Sequence, residues 1–344
     1  MTLQFAERVA RLGAPYAPPR PKRPPQLDLR DVIPDFQAIL GDCAGSYPKI
    51  DGWRDALANN LGLPMAMVHP TAGGDDALLQ IMLAMMEEGG NLVTAVPTFP
   101  MIQRYVAMAG GDMRCVPWID PAFPEQAIVD SIDAKTRIVL VTSPNNPTGQ
   151  VVPIDVIARI RDHAPQALIV LDAVYMAYSD QDITDAVLAM PNTVVVQSFS
   201  KAYGAAGLRL GYALSRHADL LLAMQKVAQP YGISQPSINQ GLKLLAAKHQ
   251  VDTAIAAIKA NRTLLQSALT KLGFSVWPSQ ANFVFFACKN AEQAQRMFES
   301  LGDRGISVRC FPNDPHIAHC VRIGVPLNEQ DLATLMNAIT KVSP

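Results

Sequence analysis

The fold is decided by the stretch Ser198-Phe-Ser-Lys-Ala-Tyr-Gly-Ala-Ala-Gly-Leu-Arg-Leu-Gly-Tyr212. Directly before it stands the apolar run Thr193-Val-Val-Val-Gln197, which is typical of a strand buried in a parallel sheet. Small residues around Lys201 let the backbone approach a ligand closely. Arg209, eight residues further on, supplies a planar fork of donors that suits an anion. The stretch therefore predicts a lysine beside an anion-binding loop, against the alternative of an exposed surface lysine.

Working outward, further motifs stand where an apolar run gives way to a polar turn. They are Thr71-Ala-Gly-Gly-Asp-Asp76, Thr98-Phe99, Ser143-Pro-Asn-Asn-Pro-Thr-Gly149 and Asp172 followed by Tyr175. Strands that alternate with helices predict a mainly parallel α/β sheet, and ligands bind beyond the carboxyl ends of such strands. Because all of these motifs fall at such loops, we expect them to form one site with Lys201.

The motif around Gly73 and Gly74 predicts the beginning of a helix. Two glycines precede Asp75 and Asp76, and apolar residues then recur at helical spacing. The first turn of a helix presents free N–H groups that bind phosphate. Ordinary helix capping is the alternative, and this motif alone does not separate the two.

The last third of the chain has a different pattern. Long helical segments, at 251–272 among others, are followed by short strands, which predicts an α+β unit with an antiparallel sheet. We therefore expect an N-terminal arm at 1–44 that packs with the small domain, a large domain at 45–247 and a small domain at 248–344.

The composition of the chain limits the classes of protein to which it can belong. The chain has 344 residues, 49% of them hydrophobic and 17% charged, which predicts a soluble globular enzyme. A formal net charge of -1 argues against a nucleic-acid partner, and no apolar run reaches the ~18 residues of a membrane span. The five cysteines are scattered and form no CxxC pair, so we expect reduced thiols, a cytoplasmic location and no metal site.

Taken together, the motifs resemble those of the fold-type I pyridoxal-phosphate enzymes, the aspartate aminotransferase superfamily, and within it the histidinol-phosphate aminotransferases. The resemblance spans about residues 45–340. It is carried by Tyr47-Pro48, Gly73-Gly-Asp75, Ser143–Gly149, Asp172 with Tyr175, Ser198-Phe-Ser-Lys201, Gly207-Leu-Arg209 and Val321-Arg-Ile-Gly324. It implies an aspartate aminotransferase-like fold with a three-layer αβα large domain and a smaller α+β domain. It also implies pyridoxal 5′-phosphate as cofactor and a homodimer with shared active sites.

By this resemblance, Lys201, Asp172 and Tyr175 are the catalytic residues. Lys201 bonds covalently to the cofactor and then moves the proton between Cα and C4′. Asp172 pairs with the pyridine nitrogen and keeps it protonated. Tyr175 and Asn146 donate to the cofactor's O3′ oxygen, and Phe99 stacks on its ring. The alternatives are a helix cap for Asp172, an Asx turn for Asn146, and core packing for the two aromatic rings.

The resemblance also assigns residues that bind the cofactor's phosphate and residues that bind the substrate. The cofactor's phosphate is held, partly through backbone N–H groups, by Gly74, Asp75, Ser198, Ser200 and Arg209, and Gly73 belongs to the same cofactor-binding set. Tyr47 reaches the phosphate of the partner subunit. Arg322 clamps the carboxylate of the substrate as a bidentate pair, with Asn146 beside it. An exposed strand arginine is the alternative for Arg322.

Two departures from the family pattern bear on the substrate. The segment Arg30-Asp-Val-Ile-Pro-Asp-Phe36 stands where histidinol-phosphate aminotransferases have Asn-Glu-Asn-Pro, and this segment covers the substrate in relatives. Ala173 follows Asp172 where glutamate is frequent.

The predicted function is that of an aminotransferase of amino-acid biosynthesis. It moves an amino group from an L-amino acid to a 2-oxo acid or a phosphorylated carbonyl compound by a ping-pong mechanism. Histidinol phosphate is the leading substrate, and an aromatic or other amino acid is close behind. A lyase of the threonine-phosphate decarboxylase type stays open, because both reactions use the same cofactor residues. A binding protein without catalysis is disfavoured by the intact set of site residues.

Overall fold

The computed structural model describes residues 27–28 and 48–342. Its strands are β1 (Leu27–Asp28), β2 (Val68–Thr71), β3 (Asn91–Val96), β4 (Asp112–Pro117), β5 (Thr136–Thr142), β6 (Leu168–Asp172), β7 (Thr193–Ser198), β8 (Gly211–Leu214), β9 (Ser275–Val276), β10 (Phe283–Ala287), β11 (Ile306–Ser307), β12 (Arg309–Cys310) and β13 (Cys320–Gly324).

The α-helices of the same residues are α1 (Ile50–Leu61), α2 (Gly74–Met85), α3 (Met101–Met108), α4 (Glu125–Asp130), α5 (Ile154–His163), α6 (Thr184–Leu188), α7 (Ala218–Val227), α8 (Gln235–Ala246), α9 (Lys248–Lys271), α10 (Ala291–Asp303) and α11 (Glu329–Val342).

A seven-stranded sheet, counted over the described residues, has the order β2-β8-β7-β6-β5-β3-β4. The strands from β4 to β7 pair in parallel, whereas β8 runs antiparallel to both β7 and β2. The register places Thr142 beside Asp172, and Asp172 beside Val196. The central strands therefore end at one edge of the sheet, as the prediction of a mainly parallel α/β fold requires.

Helices cover both faces of this sheet, because alternate residues of a strand point to opposite sides. Ile169 and Leu171 of β6 belong to the core that includes residues of α1, α5 and α8. Leu168 and Val170 of the same strand belong to the core formed with α2, α3 and α7. A strand that is buried on both faces is continuously apolar, which is the pattern seen in the sequence of β6. The predicted three-layer αβα arrangement is confirmed.

A second, antiparallel sheet has the order β12-β13-β10-β9 within the described residues. It shares a core with α9, α10 and α11, to which Leu265, Met297 and Leu335 contribute. β1 pairs in parallel with β11, with Leu27 opposite Ile306. The rest of the 1–44 arm lies outside the described residues, and the domain bounds stay predictions.

The two sheets are joined through the turn that precedes β10. The backbone N–H of Gln280 donates to the carbonyl of Gly149 at 2.7 Å. The Gln280 side chain accepts from the Asp180 N–H at 2.8 Å and donates to the Asp180 carboxylate at 3.0 Å. Arg262 of α9 is 3% exposed, and its Nη1 donates to the carbonyls of Tyr178 and Ala281 at 2.8 and 3.1 Å. These contacts fix β10 against two loops of the large sheet.

Replacing Arg262 with methionine should lower the free energy of unfolding by about 2–4 kcal/mol, because two buried carbonyls lose their donor. Thermal melting measures the loss. Lys259→Met on the same helix is the matched control. Its ammonium pairs with Asp180 at a partly exposed position, so this change should cost less than about 1 kcal/mol. Equal losses in the two variants would contradict the role given to Arg262.

Candidate active site

Lys201 lies in the turn directly after β7. Phe199 anchors this turn, because its N–H donates to the Leu210 carbonyl at 2.9 Å and its carbonyl accepts from Ala205 at 3.0 Å. The buried Phe199 ring stacks on Tyr203, with ring centroids 4.1 Å apart, and it also contacts Trp53. The half-buried Lys201 side chain places Nζ over the ring of Tyr175, 5.7 Å from its centroid. The loop that carries the lysine is therefore fixed by aromatic packing.

Asp172 ends the central strand β6 and is buried. Among the described residues, its side chain accepts one hydrogen bond, from the N–H of Val174 at 3.4 Å. Burial raises the pKa of this carboxyl to about 7, and the negative charge of Asp75 acts in the same direction. An acid buried in this way is stabilised in its charged form only by a cation brought to it.

The beginning of α2 and the loop before β8 form an anion cup. Gly73 has φ +93°, and a Cβ atom there would lie 2.7 Å from Nη2 of Arg209. A Cβ atom at Gly211 would lie 2.5 Å from the backbone of Gly73. Only glycines allow the guanidinium to lie over the first turn of α2, where the N–H of Gly74 adds to the positive potential. The Arg209 Nη2 atom pairs with the Asp75 carboxylate at 2.9 Å.

Two serines line the same cup. The Ser198 hydroxyl donates to the Ser200 hydroxyl at 2.9 Å and accepts from the Ser200 N–H at 3.1 Å. Both side chains are buried at the end of β7. They lie between the lysine turn and β8, since Ser198 pairs with Gly211 in the sheet register. The structure thus brings the predicted serines to the loops that hold Lys201 and Arg209.

The second sheet contributes Arg322, which is 2% exposed on β13. Its Nη1 atom donates to Oδ1 of Asn146 at 2.6 Å. Its guanidinium also lies over the Phe283 ring, 4.6 Å from the centroid. Phe283 also meets Tyr175 edge to face, with ring centroids 5.1 Å apart. One aromatic ring therefore links the arginine of the small sheet to the tyrosine beside Lys201.

Phe99 follows β3 and is half-buried against the core of α2 and α3. Its loop is tied to the loop after β5, because the Thr98 and Thr142 hydroxyls are 3.0 Å apart. In the same way, Asn145 donates to the Pro97 carbonyl at 3.1 Å. Phe99 thus belongs to the edge of the sheet that carries the other site residues.

Two residues at this edge were not predicted from the sequence. Phe283 and Tyr105 both resemble ordinary core aromatic residues, and only the fold brings them to Arg322 and Asp75. The predicted site residue Tyr47 lies outside the described residues. The remaining predicted residues gather at the carboxyl edge of the parallel strands and the facing end of the small sheet, and their individual roles stay predictions.

The described residues show neither a helix that is long and apolar enough to cross a membrane nor a cluster of three or more His, Cys, Asp or Glu side chains that could hold a metal ion.

The fold is aspartate aminotransferase-like, since solved structures of aminotransferases share it. Residues 45–339 match the family described as aminotransferase class I and II. The chain belongs to this family, and the predicted membership is confirmed.

Individual relatives agree with this assignment. The chain is 30% identical over 337 residues to a histidinol-phosphate aminotransferase of Roseiflexus castenholzii, which covers 96% of this chain and 88% of the relative. It is also 30% identical over 310 residues to an aromatic amino acid aminotransferase of Mycobacteroides abscessus, which covers 87% of both. The crystal structure of histidinol-phosphate aminotransferase from Sinorhizobium meliloti in complex with pyridoxal-5′-phosphate superposes with a TM-score of 0.87. That pair is 24% identical, and the match covers 99% of this chain and 98% of the other.

The buried Asp172 should make stability depend on pH in protein that has been stripped of every bound small molecule, covalently held ones included. Its folded pKa of about 7 lies above the ordinary 3.8, so the stabilisation is fully present below pH 3.8 and is lost as pH rises through about 7. Asp172→Asn removes this loss. The melting temperature of the variant, relative to the parent, should therefore rise between about pH 4 and pH 7 and stay level above.

The matched control for this prediction is Asp112→Asn, at an exposed position at the start of β4. Its melting curve should follow that of the parent across the same range. Parallel pH profiles for parent and Asp172→Asn would contradict the buried titration.

Proposed function

We propose that this protein is a pyridoxal 5′-phosphate-dependent aminotransferase. It moves an amino group from an L-amino acid to a 2-oxo acid or a phosphorylated carbonyl compound, with histidinol phosphate as the leading substrate. The proposal rests on one observation, which is that an amine, a buried carboxylate and an anion-binding guanidinium lie at the same edge of the sheet. The amine of Lys201 lies over Tyr175, three residues beyond the buried carboxylate Asp172, at the sheet edge that carries the anion cup of Arg209.

Two features of the site fit this cofactor. Gly73 has no side chain, so the Arg209 guanidinium can lie against the first turn of α2, where a Cβ atom would be only 2.7 Å from Nη2, and the donors gathered there suit a phosphate dianion. The buried Asp172 carboxylate requires a cation, which a protonated pyridine nitrogen provides. When bound, pyridoxal phosphate supplies an electron-withdrawing ring that stabilises negative charge at the Cα of the substrate.

Lys201 has two tasks in this proposal. Its amine would hold the bound cofactor covalently, and in the presence of substrate the freed amine would move the proton to and from the substrate's Cα. The side chain is half-buried, and the packed Phe199 fixes its loop, so the amine is held in place for both tasks. Tyr175, directly below Nζ, orients it and supplies a phenol O–H donor.

Arg322 is the proposed anchor of the substrate. Its guanidinium is buried, and Asn146 and Phe283 fix its orientation, so it presents a preformed fork at the end of the site opposite the phosphate cup. An arginine fork binds a carboxylate or a phosphate in the same bidentate geometry. Either an amino acid or histidinol phosphate, which carries a phosphate ester in place of a carboxylate, therefore satisfies this anchor.

The proposal extends to assembly and location. We propose a cytoplasmic homodimer with shared active sites, to which Tyr47 of each chain contributes. Exposed apolar side chains on the large sheet's helices and loops, such as Leu222 and Tyr231, offer surface for such contact. The domain bounds of 1–44, 45–247 and 248–344 form part of the same proposal.

A single-turnover experiment tests the function. Protein loaded with the cofactor is mixed with a panel of donors that includes glutamate, aromatic amino acids and histidinol phosphate, without any acceptor. One equivalent of keto or carbonyl product per site supports the transferase, and the fastest donor identifies the substrate class. Release of carbon dioxide without such a product would show the lyase instead.

Lys201→Ala should lower the turnover rate at least about 10³-fold, because both nucleophile and proton carrier are lost. The same change should abolish the covalent bond to the cofactor, which borohydride reduction and mass spectrometry detect. Lys226→Ala, on helix α7, is the matched control and should keep both properties. Turnover by Lys201→Ala at the rate of the parent would disprove the assignment.

Arg322→Lys should lower kcat/KM for the donor by about 10²-fold, mainly through KM, because a lysine cannot form the bidentate pair. Steady-state kinetics with glutamate and with histidinol phosphate measure the effect for each anion. Arg304→Lys, at the exposed end of α10, is the control. An unchanged KM for both donors would remove Arg322 from the substrate site.

A further inference from the structure

Tyr105 connects helix α3 to the phosphate cup. The inward face of α3 carries Ile102, Tyr105 and Val106, all of them buried. The Tyr105 hydroxyl nevertheless has a polar partner, because it donates to Oδ1 of Asp75 at 3.0 Å. Burial, reinforced by the Asp75 charge, raises the pKa of this phenol, so Tyr105 stays a donor throughout the working pH range.

Asp75 connects Tyr105 to Arg209. Its second carboxylate oxygen, Oδ2, pairs with Arg209 Nη2 at 2.9 Å, while Arg209 Nη1 donates to the Ala206 carbonyl at 3.2 Å. The guanidinium is thus held on two sides. The neighbouring Asp76 has a different task, since its carboxylate accepts from the Ala72 N–H at 2.8 Å and so fixes the turn that leads into α2.

The position of Asp75 presents an electrostatic problem. A carboxylate beside the cup repels a phosphate dianion and competes with it for the same guanidinium. The hydroxyl of Tyr105 reduces this conflict, because it holds one carboxylate oxygen away from the cup and spreads its charge. The other oxygen then serves as a fixed partner for Arg209.

We propose that Tyr105 is a positioning residue for the cofactor's phosphate, acting through Asp75 on the guanidinium of Arg209. This inference rests on the proposed function. The same contact ties α3, which begins two residues after Phe99, to the first turn of α2. Tyr105 thereby fixes the position of the phosphate cup relative to Phe99, the predicted ring-stacking residue.

The test compares the cofactor with its phosphate-free analogue. Spectroscopic titration gives the Kd of pyridoxal 5′-phosphate and of pyridoxal for the parent protein and for Tyr105→Phe, after hydroxylamine treatment and dialysis have removed any covalently held cofactor. We expect the Kd for pyridoxal phosphate to rise about 3- to 10-fold and the Kd for pyridoxal to stay the same. In an Asp75→Ala background, Tyr105→Phe should have no further effect.

Tyr178→Phe is the matched control, because its buried hydroxyl has no hydrogen-bond partner among the described residues. It should leave both dissociation constants unchanged. An unchanged Kd for pyridoxal phosphate in Tyr105→Phe would overturn the inference. An equal rise in the Kd values of pyridoxal phosphate and pyridoxal would also overturn it, because it would show that Tyr105 acts only through packing. Failure of the parent to bind pyridoxal phosphate would instead overturn the proposed function, and this inference with it.

Discussion

The structure depends on one costly feature, the carboxylate of Asp172 buried at the end of the central strand. A buried acid is stable in its charged form only when a cation is held against it. In the proposed function, the two loops beside it hold the other groups of the cofactor that brings this cation. The loop after β7 brings the amine of Lys201, and the glycines at 73 and 211 open the cup in which Arg209 lies. The need of the Asp172 carboxylate for a partner therefore supports the proposal that this sheet edge is the binding site.

A second constraint concerns the distance between sheets. Asn146 and Arg322 stand 176 residues apart in sequence, yet their side chains are joined by a hydrogen bond of 2.6 Å. That contact requires a fixed relation between the two sheets. The Gln280 turn supplies it, since it bonds to the loop of Gly149 and to Asp180, which follows the segment of Tyr175. Gln280, Gly149 and Asp180 thus fix the distance between the two sheets at the site, although none of them is a predicted site residue.

The sequence predicts those parts of the fold and the site that have a local pattern of residues. β6 and β7 are continuous apolar runs with a polar motif at the end, so strand, edge and site residue were all evident in the sequence. β4 was missed, because it is an exposed edge strand that contains Arg114 and lacks an apolar run. β8 was missed because its first residues belong to the glycine-rich stretch, and β2 because it contains Pro70. Tyr105 and Phe283 have no local signature, since their partners lie on other elements.

The substrate is the part of the function that local sequence specifies least, and the site explains why. In the role proposed for Arg322, the guanidinium recognises an anion by its charge and geometry, and both carboxylates and phosphate esters accept such a bidentate pair. Its neighbours, the half-buried Asn146 and the buried Phe283, fix the direction of the guanidinium and do not themselves distinguish between these two anions. Selection between donors must therefore come from groups that contact the rest of the substrate. The 30–36 segment, where the sequence departs from the histidinol-phosphate aminotransferase pattern, is the part of the chain whose exchange with that pattern should change donor preference while leaving cofactor binding intact.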